Sequence, residues 1–141
     1  MTQKIQSIQR CVKRARQERS AAGSGFRVDW TRQDAALLNI TRACEQAIDL
    51  ANHVVRERGL GIPATSAESF LLLERDHVIE ATLRRSLAAM VGFRNTAVHQ
   101  YMELDLDIVD WVITEGLDDV LTFTRLIAER GAAGWTPKEG S

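Results

Sequence analysis

Apolar residues recur along this chain at steps of three and four, the spacing of one face of an α-helix, and no alternating stretch of useful strand length occurs. Ile5, Ile8, Val12 and Ala15 predict a first amphipathic helix that ends at Ala21-Ala22-Gly23-Ser24-Gly25. Ala36, Ile40, Ala43, Ala47, Leu50 and Val54 predict a second, from about Thr31 to Arg58, with Leu37, Cys44, Ile48, Ala51 and Val55 widening its stripe. Gly59 to Pro63 stops it, because glycine closes helices and proline cannot continue them. Ser66 is the expected N-cap of a short helix through Leu73. A further helix is expected from about Asp76, with Ile79, Leu83, Leu87, Met90, Ala97 and Val98 inward. Asp105 or Asp107 is expected to cap a last helix that carries Ile108, Val109, Val112, Ile113, Leu117, Val120, Leu121, Phe123 and Ile127. The pattern predicts an all-α, up-and-down bundle of four to five helices over residues 1–131, followed by a polar tail over 132–141.

Composition agrees with one domain: the chain has 141 residues, of which 45% are hydrophobic and 26% are charged. No apolar run approaches the roughly 20 residues that span a bilayer. Cys11 and Cys44 form no metal-ligand spacing, and with no signal peptide they point to a reducing, cytoplasmic setting. Charge is uneven. Residues 1–32 carry eight Lys/Arg against two acidic residues, and residues 103–141 carry three against nine. The ends are therefore expected to neutralise each other, across the bundle or between subunits.

The chemistry gathers in residues 92–101. Leu83, Leu87, Met90, Arg94, Ala97 and Tyr101 step by three or four, so Arg94 falls on an apolar face. A guanidinium there is costly unless it meets an anion or lines a solvated cleft. Asn95 and His99, four apart, share a neighbouring face, and Gly92 leaves that face uncrowded. Arg94 and His99 are five apart, which separates them by about 140° around an ideal helix. For both to reach one atom, either the helix distorts near His99 or a second copy supplies one of them across a two-fold axis. A cleft at a homodimer interface is the expected site.

Arg94-x4-His99-x-Tyr101 resembles the R-x4-H-x-Y motif of the HepT-like toxins, a branch of the HEPN superfamily. The stretch VGFRNTAVHQYMELDLDIV around it, and NITRACEQAIDLANHVV, GIP and ESFLLL before it, are similar to that family in order, so that the resemblance spans roughly residues 2–130. It implies an endoribonuclease toxin that needs no metal and no cofactor. RNA brings its own nucleophile, the 2′-hydroxyl. His99 is then the base, since imidazole exchanges protons near neutrality. Arg94 holds the phosphate and offsets transition-state charge, and Asn95 orients His99 or donates to phosphate. The resemblance also implies a partner, a nucleotidyltransferase antitoxin of the MNT type that transfers AMP to Tyr101. A phosphate added beside Arg94 would fill the anion site and repel RNA.

Blander uses of the same residues stand beside these. Arg94 can cap carbonyls, His99 can bond to backbone, and Tyr101 can be a core phenol. Glu45 and Asp49 fit a solvated stripe better than a cleft wall. His53 and His77 have no partners at ligand spacing. Of the tryptophans, Trp30 and Trp111 are expected to pack against helices, and Trp135 lies in the tail. Two competing functions are a non-catalytic HEPN module that binds nucleotide or a partner, and a plain helical dimerisation protein with a buried arginine network.

Overall fold

The computed structural model describes residues 2–99 and 104–133, with the side chains of 132 and 133 excepted. All regular structure among them is helical: α1 (Thr2–Ala22), α2 (Trp30–Arg58), α3 (Ser66–Arg75), α4 (Ala81–His99), α5 (Leu106–Trp111) and α6 (Leu117–Ala133). A short 3-10 turn, Gly23–Gly25, follows α1, and a π-helical turn, Val112–Gly116, joins α5 to α6 into one rod. The all-α bundle is therefore as expected, with its last helix carrying one irregular turn.

α2 is the central rail and touches α1, α3, α4 and α6. Its stripe is wide because Ala36, Leu37, Ile40, Ala43, Cys44, Ala47, Ile48, Leu50, Ala51, Val54 and Val55 are all buried. α1 runs antiparallel to it, as the pairs Lys4–Asp49 and Arg32–Glu18 require. Ile8, Val12 and Ala15 fill the seam from the α1 side. On another side Phe70 of α3 meets Phe123 of α6 edge to face, with ring centroids 5.4 Å apart. Such a pair adds about 0.5–1.5 kcal/mol to the burial of its two rings.

The helix ends follow the local chemistry. Asp29 caps α2, its carboxylate accepting from the Arg32 amide at 3.0 Å. Gly59 closes α2 at φ 64, with Gly59 N–H bonded to Arg56 O and Leu60 N–H to Val55 O. This pair of bonds satisfies two of the last carbonyls and needs the left-handed conformation that glycine adopts freely. The same bond pattern ends α3, where His77 N–H meets Glu74 O and Val78 N–H meets Leu73 O. Here the left-handed position is His77, at φ 60.

Four expectations need correction. Thr65 rather than Ser66 caps α3, its hydroxyl accepting from the Glu68 amide at 3.1 Å. Thr65-x-x-Glu68 is the capping spacing, and the adjacent hydroxyl residue obscured it. α4 begins at Ala81 rather than Asp76. The left-handed turn at His77 breaks the helix there, while Val78 and Ile79 are still buried from within the turn. α6 continues to Ala133, two residues past Gly131, the expected end of the bundle. Trp30 and Trp111 do not pack inward: they are 77% and 47% exposed.

The charge asymmetry resolves within the single chain. Arg16 binds Asp118 at 2.7 Å, Arg19 binds Asp110 at 2.6 Å, and Arg27 pairs with Asp107. The basic end and the acidic end thus lie against each other across the α1–α5/α6 seam. Exposed pairs of this kind contribute up to about 1 kcal/mol each, so they match charge more than they hold the fold. No described helix is long and apolar enough to cross a membrane.

Candidate functional site

α4 carries the candidate residues because Leu87, Met90 and Ala97 anchor its inner face. Arg94 sits between the last two at helical spacing and so turns inward, towards α2. Its side chain is 21% exposed. The Arg94 Nε is buried and has no hydrogen-bond partner among the described residues. One guanidinium nitrogen, Nη1, lies 3.8 Å from Glu45 Oε1 on α2. That is an ionic contact but too long for a hydrogen bond. An unmade hydrogen bond at a buried donor costs about 1–3 kcal/mol.

Cys44 of α2, 3% exposed, is near enough to feel this charge. Burial pushes its thiol up to about 12; the positive charge of Arg94 pulls the other way, and Glu45 adds to the rise. The three side chains therefore form one electrostatic group, a buried thiol, a largely buried cation and a half-exposed carboxylate. Glu45 lies on the solvated stripe as expected, its side chain 51% exposed, and from there it also faces Arg94; its neighbour on that stripe, Asp49, pairs with Lys4 at 3.3 Å. The clue in the sequence was the place of Glu45 directly beside Cys44, at the margin of the apolar stripe of α2.

Asn95 and His99 lie outside this group. Both are exposed, and neither makes a side-chain hydrogen bond to another described residue. α4 remains an α-helix to His99, so the turn of about 140° between Arg94 and His99 is not relieved by distortion. On a regular helix the two residues leave the axis in different directions. Tyr101 lies outside the described residues. Val98, 55% exposed, and Leu38 of α2, 50% exposed, leave apolar surface beside the site.

Chemically, the arrangement offers an oxyanion a guanidinium whose donors are hardly used. Arginine's planar fork binds carboxylate or phosphate oxygens in pairs. The loose Glu45 carboxylate, 3.8 Å away, is readily exchanged for such a ligand. A neighbouring exposed imidazole adds a group that exchanges protons.

The comparisons with known proteins bear on the family and the fold. A family model described as Ribonuclease HepT-like matches residues 2–127. The chain is 47% identical over 124 residues to the mRNA nuclease HepT of Shewanella oneidensis, covering 88% of this chain and 92% of that protein. It is 28% identical over 83 residues to the tRNA nuclease HepT of Aphanizomenon flos-aquae, covering 59% of this chain and 56% of that one. Among solved structures it is similar to the tri-AMPylated Shewanella oneidensis HEPN toxin in complex with MNT antitoxin, with a TM-score of 0.86 and 44% identity over 92% of this chain and 96% of that one. With nearly the whole helical bundle matched, and the arginine–histidine helix within the matched span, this chain belongs to the Ribonuclease HepT-like family.

Proposed function

We propose that this protein is an endoribonuclease toxin that cuts RNA through the RNA's own 2′-hydroxyl, with Arg94 and His99 meeting across a homodimer cleft. The observation that carries the reading is Arg94, four-fifths buried yet with an Nε that has no hydrogen-bond partner among the described residues and a carboxylate no closer than 3.8 Å. A site that holds a cation in this state is built for an anion that arrives later. The scissile phosphate takes that place, and Glu45 is the counter-ion it displaces. His99 accepts the 2′ proton, the 2′-oxygen bonds to phosphorus, and the bond to the 5′-oxygen breaks. The departing oxygen takes a proton from the imidazolium or from water. The products are a 2′,3′-cyclic phosphate and a 5′-hydroxyl, and the sequence of bonds calls for no metal. Asn95, one turn before His99, orients the imidazole or donates to phosphate.

Helix geometry supports the dimer. α4 is helical to His99, which on an ideal helix turns Arg94 and His99 apart, and a two-fold-related copy would bring an Arg94 and a His99 to one phosphate. The relative's pairing with an MNT antitoxin supports the same kind of partner for this chain. That nucleotidyltransferase transfers AMP to Tyr101, two residues beyond His99, and the added phosphate competes for Arg94. The toxin acts in the cytoplasm, in keeping with its free, buried Cys11 and Cys44.

The test is incubation of purified protein with single-stranded RNA in EDTA, followed by chemical mapping of the ends. Cleavage with cyclic phosphate and 5′-hydroxyl ends is expected, and His99→Ala should lower the rate by about 10²–10⁴-fold, the usual share of a general base. A His99→Ala protein that cuts as fast as the parent sinks the assignment of the base. Cleavage that stops in EDTA and returns with a divalent cation sinks the metal-independent route.

A further inference from the structure

Besides Arg94, α2 lines a second, polar groove. About 280 Å³ in volume, it is bounded by Lys4, Asp49, Leu50, Asn52, His53 and Arg56. Its position relative to Arg94 follows from the helix itself. Glu45, which faces Arg94, lies within about 20° of both Asn52 and Arg56 around α2, and Arg56 is about 16 Å further along the axis. The groove and the Arg94 site are therefore two stations on one straight stripe of one helix.

The groove is arranged for more than solvent. Arg56 is exposed, and its guanidinium has no ion pair or side-chain hydrogen bond to another described residue. Lys4 shares Asp49 at 3.3 Å. One such contact leaves ammonium donors to spare. Asn52 is fixed from inside: the hydroxyl of Ser69, fully buried on α3, donates to its Oδ1. The amide is thereby oriented with its two N–H donors uncommitted among the described residues. His53, held by Glu57 at 3.1 Å, adds a planar ring. Two cations, an oriented amide and a planar ring match the parts of one nucleotide of single-stranded RNA: a phosphate, a base edge with acceptors, and a base face.

We propose that this groove is a subsite for a nucleotide flanking the scissile phosphate, with Arg56 and Lys4 on a backbone phosphate and the Asn52 amide on a base edge. The inference rests on the RNase reading above and extends it. It assigns the polar stripe of α2 as the path along which the strand runs away from Arg94.

The test separates the two readings by measuring binding apart from cleavage. A short mixed-sequence oligoribonucleotide is titrated against the His99→Ala protein, with and without Arg56→Ala, at several salt concentrations. Arg56→Ala should weaken binding by at least about fivefold, the loss of one charge-assisted phosphate contact, and should reduce the salt slope by about one. Arg56→Lys should restore the slope. Asn52→Asp, which keeps an acceptor for Ser69 but removes the donors, should weaken binding as well. With His99 restored, Arg56→Ala should lower the ratio of kcat/KM for a longer RNA to that for a dinucleotide. An unchanged affinity and slope in Arg56→Ala overturn the subsite, and so does an Asn52→Asp protein that binds like the parent. Wild-type protein that binds RNA with the expected slope change but never cuts it overturns the RNase reading and leaves the subsite standing.

Discussion

Two inward arginines, Arg58 and Arg94, lie at different flanks of α2 and are treated in opposite ways. At the α2–α3 junction, Arg58 donates to Asp76 at 2.5 Å, and the two side chains are only 15% and 10% exposed. Facing α2 from α4, Arg94 has comparable burial, an Nε without a hydrogen-bond partner among the described residues and a carboxylate 3.8 Å away. Desolvating a guanidinium is costly in both places. At Arg58 the cost is offset inside the fold. At Arg94 no described residue offsets it at Nε. The difference separates an arginine that holds helices together from one kept ready for something outside the chain.

The largest expected effect is on the first of the pair. Arg58→Met leaves the buried Asp76 carboxylate without this cation and should cost about 3–5 kcal/mol of stability, read by urea denaturation. Arg94→Met should do the reverse. A hydrophobic side chain of similar volume removes an unsatisfied cation, so stability should hold or rise, while RNA cleavage should fall by about 10²–10³-fold, as when a transition-state donor is removed. If Arg94→Met unfolds the chain as readily as Arg58→Met, the contrast is lost and Arg94 is a structural residue. Glu45→Gln sharpens the point: its exposed, long contact should be worth less than about 1 kcal/mol to the fold, and RNA should bind more tightly once the competing carboxylate is gone. The smallest effect concerns Cys44. Its thiol is raised in the folded state from 9.0 to about 12. Its share of stability is therefore complete below the unfolded value and is lost as pH rises towards the folded one. Cys44→Ala should flatten that alkaline decline in denaturation curves.

Much of this was legible from residue spacing. The helices follow from apolar steps of three and four, and burial of Ala36, Ile40, Ala43, Ala47, Leu50 and Val54 bears out the α2 stripe position by position. The inward turn of Arg94 was legible for the same reason, as was its divergence from His99. What spacing within a helix does not encode is the register between helices. That is why the contact of the solvated Glu45 with Arg94 is not legible in either helix alone. The left-handed His77 was hidden too, because Val78 and Ile79 are apolar and buried although they lie in a turn. Trp30 and Trp111 misled by type: large apolar side chains are usually inside, but that rule runs in one direction only.

The π-helical turn leaves no mark in the sequence because Val109, Val112, Ile113, Leu117 and Val120 keep stepping by three and four straight through it. Such a turn holds one residue more than an α-helix needs. It ends at Gly116, where a β-carbon would come within 2.7 Å of the Met90 sulfur, one helical turn below Arg94. Loss of one residue between 112 and 116 would let the rod become regular with both flanks still in phase, whereas the same loss further along α6 would swing every later side chain by about 100°. The molecule thus has a built-in place where chain length can change by one without scrambling the bundle, and that place lies directly behind the arginine helix.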